Sequence, residues 1–192
     1  MVHYNQTRRM LCLGLFAAAA GAAPALAGPY LDYAQGLAAH PPKGSRYRPD
    51  LEAQLVDLLN AYRAEKGKAL VAADAAFQDA ARAHAADMML NNFMGHSSST
   101  GMSFQGRMAA FAGDVTKYPS IGENAARDTQ DTPVDDAKAS ALFRQWVVSS
   151  PHRKNMVNRS FAFVSTGVIQ KGDSIWAVQI FFATPRAKGI FQ

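Results

Sequence analysis

From residue 51 onward apolar side chains recur at helical spacing: Leu51, Leu55, Leu58, Leu59 and Tyr62 fall at i, i+4, i+7, i+8 and i+11. Pro49-Asp50 offers a start for that helix and Gly67 a stop. A second helical period begins near Asp74, with Phe77, Ala81, His84 and Met88 on one face, and closes at Asn91-Asn92 and Gly95. Ser103 opens a short third helix that carries Arg107, Met108 and Phe111 as far as Gly113. A fourth opens at Thr132-Pro133, where Asp135 and Asp136 suit the positive end of a helix dipole. Its apolar face is Leu142, Phe143, Trp146 and Val147, and Pro151 is expected to stop it.

The last third changes period. "FAFVSTGVIQ" and "SIWAVQIFFA" are two β-rich runs joined by Lys171-Gly172-Asp173, a hairpin signal. Both runs are apolar on both alternations, so both faces of the hairpin must be covered. With a helical first half, that predicts an α/β/α sandwich: a small three-stranded, mainly antiparallel sheet covered by about four helices. "PSIGENAA" is the expected third strand.

The N-terminal stretch follows neither period. Residues 1–27 are expected to be an export signal: Arg8 and Arg9 precede the apolar "MLCLGLFAAAAG", too short to span a bilayer, and "ALA" at 25–27 is a small-x-small cleavage site. The arginine pair admits either the Sec or the twin-arginine route. Cys12 lies at the front of the apolar core, the wrong place for lipoprotein cleavage. Residues 28–49, rich in Pro, Gly and Tyr, read as a leader that lies on the domain or loose in solvent, with His40 a solvated loop residue. Residues 50–192 form one domain.

Cleavage after Ala27 would leave 165 of the 192 residues and remove the only cysteine, excluding disulfides and thiol chemistry. It would also take two of the 20 Lys and Arg and no acid, leaving a mild net charge of +3. No basic run with interleaved aromatics suggests nucleic acid, and no further apolar stretch suggests a transmembrane span after cleavage. A monomer is expected.

With thiols excluded, the candidate chemistry rests on His84, His96, His152 and Glu123. His84 sits on an apolar helical stripe and reads as a satisfied core histidine. His96 follows a helix end and precedes the polar loop "SSSTG", so its side chain can reach back over the sheet. Glu123 lies in the short strand, and a buried carboxylate must be paired, hydrogen-bonded or protonated. His152 lies in "SSPHRKN" at the joint between two buried elements. Two imidazoles and a carboxylate can hold a metal, although these spacings match no metal signature. The bland alternative is a polar cluster that serves the fold alone. A Ser149 or Ser150 nucleophile beside His152 is disfavoured, because no G-x-S-x-G elbow is present.

In order along the chain, the helix ending in "MGHSSS", "GENAA", "WVVSSPHRKN" and the terminal hairpin resemble the CAP superfamily, the cysteine-rich secretory, antigen 5 and pathogenesis-related proteins, in its bacterial SCP-like branch. The resemblance covers about Leu51 to Phe182 and implies an α/β/α sandwich. It also implies a central cavity of two His and two Glu in which some members bind a divalent metal. Carried over by position, His96 and His152 are the histidines and Glu123 the first glutamate, with Asn124 bracing a loop. Ser149 stands where the second glutamate would be, which weakens any cation site. Arg153 and Asn155 are expected to tie the His152 loop to backbone carbonyls. The eukaryotic G-H-Y-T-Q segment is absent, so sterol and lipid binding are not implied.

The expectation is therefore an exported, periplasmic or extracellular, non-enzymatic binding module. It would use His96, His152 and Glu123 for a divalent cation, Zn²⁺ first, or for an envelope or extracellular ligand. The rival is a metal-assisted hydrolase of a peptide, ester or cell-wall polymer, with Glu123 as general base.

Overall fold

The computed structural model describes residues 24–184. The expected export signal falls outside these residues except for its last four, which open a helix.

A sheet lies between two helical layers. Its order is β1-β4-β5-β3, with β2 also pairing with β4. Three long strands carry it: β3 (Ser120–Asp128), β4 (Phe163–Lys171) and β5 (Ser174–Ala183). β4 and β5 form the expected antiparallel hairpin, turning through Gly172 and Asp173, and Gly172 takes the positive φ of 56° that a tight turn demands. β3 pairs antiparallel with β5 along its whole length and forms the open edge. Two short strands, β1 (Ser45–Tyr47, antiparallel) and β2 (Ala72–Ala73, parallel), add to β4. The sheet thus has five strands rather than three, because segments of two and three residues leave no period to read.

Alternation along β5 shows why both faces are covered. Trp176, Val178, Ile180 and Phe182 enter one core, and Ile175, Ala177 and Phe181 enter the other. The first core packs against α1 (Pro24–Ala39), α3 (Gln78–Leu90) and α4 (Phe104–Ala112). The second packs against α2 (Pro49–Glu65), α5 (Asp136–Val148) and α6 (Ser150–Met156). Among the described residues six α-helices cover the sheet rather than four. The layered architecture is the expected one.

The two added helices have physical reasons. Residues 28–39, expected to be an irregular leader, belong to α1, which buries Tyr30, Ala34 and Leu37 at i, i+4 and i+7 against α3 and α4. That stripe is short and includes an alanine, and Pro29, a residue that breaks most helices, falls inside the element. Pro151 likewise does not simply stop a helix. α5 ends at Val148, Ser149 caps it, and Pro151 opens α6 from its first turn. The remaining caps fit the residue chemistry. Ser103 accepts a hydrogen bond from the Gly106 N–H at the start of α4, and Asp135 accepts from Ala137 and Lys138 at the start of α5.

Candidate functional site

Glu123 is the centre of the site. It points from β3 into the layer beneath α3 and α4, and is 5% exposed. Arg107, wholly buried on α4, donates to both carboxylate oxygens, at 2.8 Å to Oε1 and 2.7 Å to Oε2. The same guanidinium donates to the His96 carbonyl at 2.9 and 3.1 Å. The His96 ring completes the set, its Nδ1 lying 2.8 Å from Glu123 Oε1. An ionised carboxylate can only accept, so Nδ1 carries a proton, and in the neutral ring Nε2 keeps its lone pair.

The loop that carries His96 is tied down from two directions. Asp87, buried on α3, accepts from the Ser99 N–H at 2.9 Å and the Ser99 hydroxyl at 2.5 Å. Tyr33 of α1 and Asn91 donate to the same carboxylate at 2.8 Å each. His84 is buried behind the loop, its Nε2 donating to the Gly95 carbonyl at 2.8 Å and standing 3.9 Å from Glu123 Oε1. Its Nδ1 is buried with no hydrogen-bond partner among the described residues, so within them this core histidine is only half satisfied.

His152 comes from α6, and its ring centroid lies 6.3 Å from that of His96 at 71°. Asn124 donates to the His152 carbonyl at 3.2 Å, and Asn155 donates to the Glu123 carbonyl and to Asn124 Oδ1, both at 3.0 Å. Arg153 donates to the carbonyls of Val147 and Val148 at 2.7 and 3.3 Å. The three expected ties are therefore in place, on a helix rather than a loop. His152 and Ser149 line a cleft of about 380 Å³ with Met94, Ala125, Gln145 and Trp146.

Charge follows from this geometry. Burial alone would push the Glu123 carboxyl up, but the Arg107 guanidinium, the His96 hydrogen bond and His84 outweigh it and hold the group below the ordinary glutamate value. The Glu123 hydrogen bond raises His96 against the opposing effect of its partial burial. Burial lowers His152, helped by His96 beside it. Burial and Arg107 together lower His84.

The structure thus brings His96, His152 and Glu123 together, with Asn124, Ser149, Arg153 and Asn155 around them. It adds Arg107 and His84 to the site. Arg107 was legible only as a charge on an otherwise apolar helix face, a position that demands a buried counter-ion. Its presence bears on metal chemistry. A cation drawing on Glu123 would have to displace Arg107 or His96, and among the described residues no group of three or more His, Cys, Asp or Glu is placed to hold a metal ion. The two remaining imidazoles are one protein ligand short of a catalytic zinc site. The predicted trio does not fit as three ligands.

Comparison with known proteins gives the family and the fold. The model of the cysteine-rich secretory protein family, CAP, matches residues 56–181. Protein YkwD of Bacillus subtilis (strain 168) is 34% identical over 128 residues, which are 67% of this chain and 46% of that protein. An extracellular protein containing an SCP domain from Bacillus anthracis str. Ames superposes with a TM-score of 0.58 and 26% identity, over 71% of this chain and 41% of that one. An outer surface protein from Borrelia burgdorferi superposes with a TM-score of 0.62 over 73% of this chain and 99% of that one. Its 12% identity makes that a likeness of fold alone. The chain spans less than half the length of the two Bacillus proteins.

Proposed function

The chain belongs to the CAP family, and from that premise we propose that it is an exported, non-catalytic binding module whose ligand engages the His96–His152 pair. One observation carries this reading: both oxygens of Glu123 are occupied by Arg107, and one also by His96. A general base needs a free oxygen and an affinity for protons near the working pH, and Glu123 has neither. The hydrolase alternative therefore loses Glu123 as its base, and Ser149 supplies no second carboxylate.

The two imidazoles suit binding better. Glu123 fixes the His96 tautomer, so a lone pair faces away from the carboxylate, as it does for histidines oriented by a neighbouring acid. His152 is held neutral beside it. Such a pair takes a weakly held divalent cation, or a donor group of an envelope or extracellular ligand lying in the adjoining cleft. Export is supported by the predicted signal and by the extracellular description of the B. anthracis protein.

Zn²⁺ is the probe for the pair. Calorimetric titration of the full chain is expected to show one weak site, absent from both His96→Ala and His152→Ala. A screen of peptide, ester and cell-wall substrates is expected to show no turnover. Zinc binding that survives either substitution, no binding by the folded parent, or turnover abolished by Glu123→Gln would each overturn the proposal.

A further inference from the structure

On the far side of α6 from the histidines lies a second cleft, of about 450 Å³. The turn that follows α2 supplies Lys66 and Lys68, and α6 supplies Arg153 and Lys154. Tyr62 and Val157 add apolar surface between the two cationic walls. Only Lys66 has an acidic partner, the exposed Glu65 at 2.8 Å; among the described residues no carboxylate lies within 4.0 Å of Lys68, Arg153 or Lys154. Four cations gathered in one cleft with a single counter-charge repel one another, and an anion relieves that repulsion.

The cleft is built, not a chance crowding of mobile lysines. Arg63, wholly buried, donates to Ala69 at 2.7 Å in the segment beyond α2, and to Met156 and Asn158 at 2.7 and 3.1 Å at the end of α6. One guanidinium thus locks the two walls together. Gly67, with φ of 62°, makes the turn that presents Lys66 and Lys68. Arg153 is anchored through Nη1, while its Nε and Nη2 make no hydrogen bond within the described residues and remain free to donate.

We propose that this cleft binds a ligand carrying two or more phosphate groups, with anionic oxygens on the two cationic walls and the connecting atoms against Tyr62 and Val157. Phosphate is favoured over a single carboxylate because the cations are spread over two walls, and because arginine and lysine together suit its several oxygens. The site is separate from the histidine pair and does not depend on the function proposed for it.

Tripolyphosphate is the soluble probe, titrated calorimetrically into the full chain at low ionic strength. The expected result is one site, weakened by added salt. The double variant Lys68→Glu/Lys154→Glu should raise Kd about tenfold or more, since charge-assisted bonds are the strong ones. The charge-matched control Lys43→Glu/Lys171→Glu, with both lysines exposed and outside the cleft, should leave Kd within about twofold, its effect being confined to screened long-range charge. His152→Ala should leave it unchanged. Sedimentation with vesicles containing cardiolipin, whose headgroup carries two phosphates, distinguishes the sources: cleft-dependent binding assigns a lipid headgroup, and its absence beside tripolyphosphate binding assigns a free phosphate chain. No binding of either probe, or equal loss in the control, would overturn the proposal.

Discussion

Replacing Arg107 with methionine removes the charge from the centre of the site while keeping most of the side-chain volume. The wild-type guanidinium makes four hydrogen bonds between 2.7 and 3.1 Å, two to Glu123 and two to the His96 carbonyl. Without it, Glu123 stays buried with His96 as its one hydrogen-bonding partner. Removing one partner of a buried ion pair costs about 3–5 kcal/mol at neutral pH. For a chain of this size each kcal/mol is about 2–4 °C of Tm, so thermal unfolding should shift down by roughly 6–20 °C. The double variant Arg107→Met/Glu123→Gln removes the stranded charge as well, and should recover about 1–3 kcal/mol of the loss. The pH dependence has a definite sign. Wild-type Glu123 is held below its ordinary value, so its contribution is present at neutral pH and is lost as pH falls through the folded-state value. In Arg107→Met burial is opposed only by His96 and His84, so that carboxyl rises relative to wild type and the variant loses less stability in acid. The gap between the two proteins should therefore narrow from pH 7 toward pH 4. A loss below about 1 kcal/mol, strict additivity in the double variant, or a gap that widens in acid would refute this reasoning.

Three further outcomes follow from the same geometry. Gly167→Ala places a methyl against the α3 backbone at Ala81 and Arg82, where neither side can yield. Urea unfolding should show a loss of about 1–3 kcal/mol or more, and an unchanged midpoint would contradict the packing. Tyr33→Phe removes the donor from α1 to Asp87. A hydrogen bond to a charged group is worth about 1.5–3 kcal/mol, so amide exchange should quicken along α1 first, and uniform protection would argue against that tie. In an NMR pH titration His96 should lose its proton above the ordinary histidine value of 6.5 and His152 below it. Glu123→Gln should bring His96 down, and an unmoved His96 would deny the coupling.

Long periodic elements were legible in the chain and short ones were not. The stripe Leu51, Leu55, Leu59 and the two-sided runs of β4 and β5 carry enough apolar area to dictate both element type and layering. β1 and β2 are too short to show a period, and α1 hides its stripe behind Ala34 and Pro29. Pro151 follows the end of α5 and also opens α6, because proline has opposite meanings at the two ends of a helix. The residues that line the site could be named only through the family resemblance, carried over by position. What the pattern could not supply was pairing: Arg107 lies 16 positions from Glu123, and only tertiary packing sets the guanidinium on that carboxylate. That contact turns a candidate ligand and base into a fixed anion that orients His96.

The most direct test of the account is the protonation constant of Glu123 itself, followed through its side-chain carboxyl carbon by NMR as pH is lowered. A value below the ordinary glutamate range is expected, because Arg107 and His96 both favour the anion. A value displaced upward toward neutrality would mean that the carboxylate is free to take a proton at working pH, and would return the site to general-base chemistry.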